Sequence, residues 1–587
     1  MNDIIRNFII GVASFLVLLL FCIYIGGFIF ALSEFGREHV MNPMFIKSLA
    51  PFSYLITYGF WWYDYFNVIT IDYNKYFVLR YSAALVVPIL IYIASLVRYK
   101  DAIHELRPFK KPESIHGDAR WATESDIKKA GLRTSRGMLI GCDKKGFLVA
   151  GGYQHTLLFA PTGSGKGVGF VIPNLLYWQD SVFVHDIKLE NYDLTSGWRK
   201  KMGQEVYCWS PADPDGTTHC YNPIDWISSK PGQMVDDVQK IANLIMPEKE
   251  FWNNEARSLF VGVVLYLVAA KDKIKSFGEV VRTMRSDDVV YNLAVVLDTL
   301  GNEIHPVAYM NIAAFLQKAD KERSGVISTM NSNLELWSNP LIDTATASSD
   351  FNVMKFKQQL TTVYVGLTPD NLQRLQPLMQ VFYQQCTEFL SRKIPGPEEP
   401  YGVMFMMDEF PTLGKMEQFM SGIAYFRGYH VRLFLIIQDT EQLKGIYEEH
   451  GMNSFLSNST YRVTFAANNI ETANLISQLV GNKTVDQVSA SKPKYLDFNP
   501  ASRSLNVSQV QRALLLPQEV IALPRDEQII LIESSPPIKS KKIKYYDDKF
   551  FKKRLLKPIP IPQQEPFDSR KFREGMQSKK EKKEEEK

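Results

Sequence analysis

Runs of apolar residues recur along this chain at lengths that suit buried strands. They are His155–Ala160, Ser181–Ile187, Glu205–Trp209, Thr361–Leu367, Val403–Asp408, Val431–Gln438, Tyr461–Ala466 and Gln528–Ile532. Most are apolar throughout rather than alternating, the pattern of strands covered on both faces. Helical stretches separate them, so the pattern predicts an α/β fold on a parallel-rich central sheet. The strand signal stops between the third and fourth runs. Residues 226–349 read as helices, most clearly Val235–Met246, Asn254–Ala270 and Pro306–Lys318. Leu259–Ala270 is apolar almost all round yet too short to span a bilayer, which predicts a buried core helix. The expectation is an all-α domain over 226–349 inserted into an α/β domain made of 106–225 and 350–567.

The first hundred residues follow another pattern. Phe8–Leu32 is apolar over a length that crosses a ~30 Å hydrocarbon core. It lacks the small-residue cleavage site of a secretory leader. A second apolar run, Tyr81–Val97, is near the lower limit for a span and contains Pro88, which membrane helices tolerate. Arg98, Lys100, Arg107, Lys110 and Lys111 crowd its downstream end, which predicts a cytoplasmic body. Residues 1–105 are thus expected to form a two-pass membrane anchor, with spans at 8–32 and 81–97 and an external loop at 33–80. The aromatics of that loop suit either a membrane interface or a partner protein. At the other end, 568–587 is polar and highly charged and is expected to be disordered.

Composition changes this picture little. A net charge of +4 is too weak to mark a nucleic-acid-binding protein without a local basic patch. The basic and aromatic stretch Ile538–Lys557 is either such a patch, for phosphate backbones or anionic lipid, or a solvated end of the folded body. Cys22, Cys142, Cys208, Cys220 and Cys386 show no zinc-site spacing, which fits a reducing compartment.

The chemistry lies in short motifs between the strands. Ala160, Pro161, Thr162, Gly163, Ser164, Gly165, Lys166 and Gly167 stand between a strand run and a helical run. This is the setting of a phosphate-binding loop, in which backbone N–H groups curl around a polyphosphate and the lysine reaches its outer phosphates. Two positions depart from the general pattern: Ala160 replaces the first glycine, and Gly167 replaces the hydroxyl that would help hold Mg²⁺. Val403–Glu409 is an apolar strand ending in two acids. Asp408 would hold Mg²⁺, directly or through water, and Glu409 would orient and deprotonate an attacking water. Gln438 ends the next strand, either as a γ-phosphate sensor or as a solvent-exposed strand end. Arg427 and Arg432 compete for the role of an arginine finger on a neighbouring subunit. Asp186, Lys188 and Glu190 either shape the same site or form a local cap. Trp252 either lines a ring opening or packs in a core, and Arg323, Ser324 and Thr329 are read as helix–helix hydrogen bonders.

With APTGSGKGVG, VIPNLL, VHDIKLENYDLT, MMDEFPTLGK and IIQD in that order, the chain resembles the type IV secretion coupling proteins of the TraG/TraD type. The resemblance covers nearly everything but the charged tail, and that family's loop also carries glycine after the lysine. It implies a bacterial inner-membrane ATPase with a RecA-like nucleotide-binding domain and an inserted all-α domain, using ATP and Mg²⁺. It further implies a homo-hexamer that takes effector proteins or DNA–relaxase complexes to the secretion channel. The family's lysine and acidic pair fall on Lys166, Asp408 and Glu409, its arginine finger on Arg427 and its strand-end glutamine on Gln438. Two other readings stand beside it: a DNA translocase of the FtsK/HerA type, and a nucleotide-binding docking scaffold with little hydrolysis.

Overall fold

The computed structural model describes residues 16–30, 32, 75–98, 117–491 and 504–566. The chain divides into two compact units, Met1–Glu113 and Ser114–Lys587. In the first, residues 16–30 and Lys75–Arg98 are helical, and the buried ring of Phe30 meets Tyr81 edge-on with centroids 5.8 Å apart. Among the described residues no helix is long and apolar enough to cross a membrane. Residues 8–15 and 31 of the expected first span, most of the 33–80 loop and the 568–587 tail lie outside the described residues.

The second unit is built on one large mixed sheet. Its strands are β1 (Met138–Asp143), β2 (Gly146–Ala150), β3 (Thr156–Phe159), β4 (Ser181–Ile187), β5 (Glu205–Trp209), β6 (Thr361–Leu367), β7 (Val403–Met407), β8 (Val431–Ile437) and β9 (Tyr461–Thr464). A separate ribbon pairs β10 (Asn482–Ser491) with β11 (Ser504–Ala513), and β12 (Glu527–Ile532) and β13 (Ile538–Lys541) return to the large sheet. The order across that sheet is β2-β1-β13-β12-β9-β3-β8-β7-β4-β6-β5. All pairings from β9 to β5 are parallel, and those from β2 to β9 are antiparallel. Every residue of β3, β6, β7 and β8 is buried, as helices on both faces of a parallel sheet require. In β13 burial alternates instead: Ile538 and Ser540 face in, Lys539 and Lys541 face out.

Between β5 and β6 the described chain forms helices and no strand, among them Pro231–Ile245, Phe251–Ala269, Phe277–Met284, Pro306–Leu316 and Asp320–Asn333. Phe251–Ala269 has the buried middle expected of a core helix, with Leu259 through Leu267 all buried. These helices share one continuous core with a face of the sheet: Phe260, Trp337 and Val264 belong to the cluster that holds Phe183, Phe382 and Phe405. Trp252 is 41% exposed, beside an exposed Phe251, so it is not a core residue. Arg323 donates to the Leu316 carbonyl at 2.8 Å and pairs with Asp320, so it ties a helix start to the preceding helix.

Candidate nucleotide-binding site

Parallel strands expose their C-terminal ends along one edge, where α/β sheets build their sites. The loop Ala160–Gly165 leaves the sheet there, after β3. Gly163 and Gly165 have φ of +75° and +84°, values open to glycine and costly for other residues. A Cβ added at Gly163, Gly165 or Gly167 would meet nothing within 4 Å, so the concave side of the loop is open. The following helix starts with a widened turn over Gly167–Val171, in which the Ile172 N–H donates to the Gly167 carbonyl five residues back. Pro173 lacks an N–H for Gly169 and would crowd its carbonyl in a regular helix; the wide turn relieves that conflict.

The acidic pair reaches the loop from the end of β7. Lys166 Nζ is 2.9 Å from Asp408 Oδ1 and also pairs with Glu409 Oε1. Gln438, just past β8, donates from Nε2 to Glu409 Oε2 at 3.1 Å. Lys166, Asp408, Glu409 and Gln438 are therefore one connected group, drawn from three neighbouring strands. Gln438 is not a free strand end. Glu409 has φ +61°, and a bulky residue in that region is held there by its surroundings, as active-site residues often are. Burial, against the pull of Lys166, raises the Asp408 carboxyl above its usual range.

A second layer supports this group and escaped the sequence reading. His185 is fully buried in β4; its Nδ1 lies 3.3 Å from Tyr383 Oη and its Nε2 3.4 Å from Thr412 Oγ1. Thr412 in turn donates to the Glu409 carbonyl at 2.7 Å. Burial, aided by the Lys166 charge, pulls His185 down to about 3, so it remains a neutral hydrogen-bonding link. Next to it, Asp186 accepts from the Tyr192 N–H at 2.8 Å and from Asn191 Nδ2 at 3.0 Å, holding the start of the helix Glu190–Lys201. Burial, with Asp408 nearby, pushes Asp186 up to about 7. Lys188 and Glu190 are exposed, so of this motif Asp186 alone has a buried role, as a cap.

The two arginines separate cleanly. Arg427 is exposed in the turn before β8, at the opposite edge of the sheet from Lys166 and Glu409. Arg432 is fully buried and donates to the carbonyls of Gln154 at 2.7 Å, Ala150 at 3.2 Å and Gly151 at 3.3 Å. It lies over Trp178 and Tyr461, and burial pulls it down to about 10. This is a structural part and no finger. Arg432→Ala is expected to lower the free energy of urea unfolding by about 2–3 kcal/mol, because three carbonyls, that of Ala150 fully buried, lose their donor and the packing between Trp178 and Tyr461 is lost. A loss below about 0.5 kcal/mol would contradict that role.

Whether the site suits a nucleotide with Mg²⁺ is tested by its own atoms. Ser164 Oγ is buried in the loop with no hydrogen-bond partner among the described residues. The loop is open, and among the described residues its lysine pairs with the carboxylates of Asp408 and Glu409. Among the described residues no cluster of three or more His, Cys, Asp or Glu could hold a metal alone. A divalent ion here would depend on Asp408, phosphates and water, which agrees with the missing hydroxyl at Gly167.

The fold and the loop define a P-loop α/β protein of the RecA type. Residues 120–567 match the family model described as type IV secretory system conjugative DNA transfer, and the chain belongs to that family of coupling proteins. It is 34% identical to the VirD4 protein of Rhizobium radiobacter over 466 residues, 76% of this chain and 67% of that one. It is 30% identical to the conjugal transfer protein TraG of Escherichia coli over 510 residues, 77% of this chain and 80% of that one. Among solved structures the bacterial conjugative coupling protein TrwB, lacking its N-terminal 70 residues, matches with a TM-score of 0.54 at 15% identity, covering 73% of this chain and 93% of that one. TrwB in complex with ADP and Mg²⁺ matches with a TM-score of 0.53 at 15% identity, covering 77% and 96%.

Proposed function

We propose that the chain is a membrane-anchored ATPase that receives secretion substrates and delivers them to a type IV secretion channel. The single observation carrying the enzymatic part is the connected group Lys166, Asp408, Glu409 and Gln438 beneath an open, glycine-shaped loop. TrwB, of the same fold, has been captured with an ATP analogue and with ADP and Mg²⁺. In this reading Lys166 turns from the two carboxylates to the outer phosphates. Glu409, freed of its lysine, accepts a proton from the attacking water, while Gln438 keeps the carboxylate oriented. Asp408 would hold Mg²⁺, which would supply positive charge to the bound nucleotide.

Arg427 precedes the start of β8, about a strand length, or about 20 Å for seven residues, from the end of the sheet that carries the phosphate loop. As a finger it therefore serves a neighbouring subunit, which supports a homo-hexameric ring. The two-pass anchor with spans at 8–32 and 81–97, the inserted all-α domain over 226–349 and the inner-membrane location complete the reading. The substrates are effector proteins, DNA–relaxase complexes or both.

The test is ATP turnover by the full chain in a lipid bilayer, with Lys166→Ala as the blank and with single- or double-stranded DNA added. Turnover in the native chain and none in Lys166→Ala is expected. DNA stimulation would identify a nucleic-acid-coupled motor. No turnover under any condition would leave the docking scaffold and sink the enzymatic reading.

A further inference from the structure

The residue that follows β13, Lys542, lies 378 positions from the phosphate loop in sequence yet touches it. Its Nζ donates to the Ser164 carbonyl at 3.1 Å. The same ammonium sits 3.6 Å from the centre of the Phe465 ring, and the side chain is only 9% exposed. Phe465 follows β9 and donates its N–H to the Phe159 carbonyl at 3.0 Å, so it is stitched to the strand that launches the loop. The approach from the other side is equally close. A Cβ at Gly169 would come within 3.5 Å of Lys542 Cβ and of the Ile543 carbonyl and within 3.7 Å of Phe465. The Lys542 N–H itself donates to the Asp526 carbonyl at 2.9 Å, which anchors the segment to the turn before β12.

A trans peptide is planar, with its C=O and N–H pointing in opposite directions. A cation holding the Ser164 carbonyl on one side therefore aims the Gly165 N–H to the other. Gly165 has φ +84° and no side chain to oppose such an orientation. The site also lacks a hydroxyl after Lys166, so properly aimed backbone donors carry more of the phosphate recognition.

We propose that Lys542 is a positioning residue for the nucleotide, clamping the Ser164–Gly165 peptide so that the Gly165 N–H faces the phosphates of ATP. The C-terminal antiparallel wing of the sheet is then part of the nucleotide site rather than an appendage to it. Burial, only partly opposed by Asp526, pulls the Lys542 ammonium down to about 8, in keeping with a cation whose nearest partners are a carbonyl and a ring. This inference rests on the ATPase reading above.

The experiment is steady-state ATP hydrolysis by the full chain in a bilayer, comparing native, Lys542→Met, Lys542→Arg, Phe465→Leu and Lys166→Ala. Lys542→Met should raise KM for ATP about tenfold or more and leave kcat within about twofold, since the reacting groups are untouched. Lys542→Arg should restore KM to within about threefold of native, because a cation again holds the carbonyl. Phe465→Leu, which keeps the ammonium but removes its ring, should raise KM in the same direction by less, and it serves if Lys542→Met fails to fold. Native KM in both Lys542→Met and Phe465→Leu, a loss confined to kcat, or no rescue by arginine would overturn the clamp while the ATPase reading stood. A native chain that turns over no more ATP than Lys166→Ala would overturn both.

Discussion

Glu409→Gln is expected to bind ATP at least as tightly as the native chain and to turn it over about 10³-fold more slowly, the usual scale for removing a positioned general base. The substitution keeps the shape of the side chain and its contact with Gln438, whose Nε2 lies 3.1 Å from Glu409 Oε2. It removes the basic oxygen and one of the two carboxylates that hold Lys166 in the absence of phosphate. The lysine keeps Asp408 at 2.9 Å as its remaining partner and is easier to draw toward a nucleotide. Calorimetric titration with ATP gives the affinity, and phosphate release in a single turnover gives the chemical step. Turnover within tenfold of native would show that Glu409 is a structural partner of Lys166 and that the proton goes elsewhere.

Arg427→Ala is expected to cost about 10³–10⁵ in turnover, the range seen where an arginine finger is lost. Nothing about its position within one subunit explains such a loss, since the residue is exposed at the far edge of the sheet. The effect must cross a subunit boundary, and a mixing experiment reads that directly. Chains carrying Arg427→Ala retain the acidic pair, and chains carrying Glu409→Gln retain the arginine. Co-assembled, some neighbours bring a native Arg427 to a native Glu409, so the mixture should recover activity that neither variant has alone. No recovery, with assembly intact, would remove Arg427 from the reaction. Arg432 is no substitute, because its guanidinium is spent on three carbonyls inside its own subunit.

The sequence was most legible where both faces of a strand are covered. Ser181–Ile187, Glu205–Trp209 and Thr361–Leu367 are strands over the stretches their apolar runs span, and five further runs, beginning at His155, Val403, Val431, Tyr461 and Gln528, differ from the strands only at their ends. At Val403–Asp408 and Val431–Gln438 the last residue lies just past the strand, where its side chain joins the group around Lys166. The antiparallel wing was harder to read. In β13 only Ile538 and Ser540 point inward, and between exposed lysines that signal is a weak one. The ribbon of β10 and β11 is largely polar and gave no apolar run. The loop, Asp408 and Glu409 were legible because their chemistry needs particular residue types in fixed local order. His185, Thr412 and Lys542 were not, for they act through contacts between segments that only the folded sheet brings together. Trp252 and Arg432 show the converse: exposure excludes a core role for the first and burial excludes a finger role for the second, and residue type alone decided neither.

The start of the described body has a bearing on how the protein can be cut. Its first residues complete the base of the ribbon: the Thr484 N–H donates to the Gly117 carbonyl at 3.0 Å, the Ala119 N–H donates to the Asn482 carbonyl at 3.0 Å, and Asp118 bridges to Lys483. A fragment beginning after Ala119 would strip this isolated bridge and its backbone hydrogen bonds from the start of β10. Open edges of that kind recruit other chains. Clumping of such a fragment would then report a badly chosen cleavage point, and a few retained residues upstream of Gly117 would separate that artefact from specific self-association.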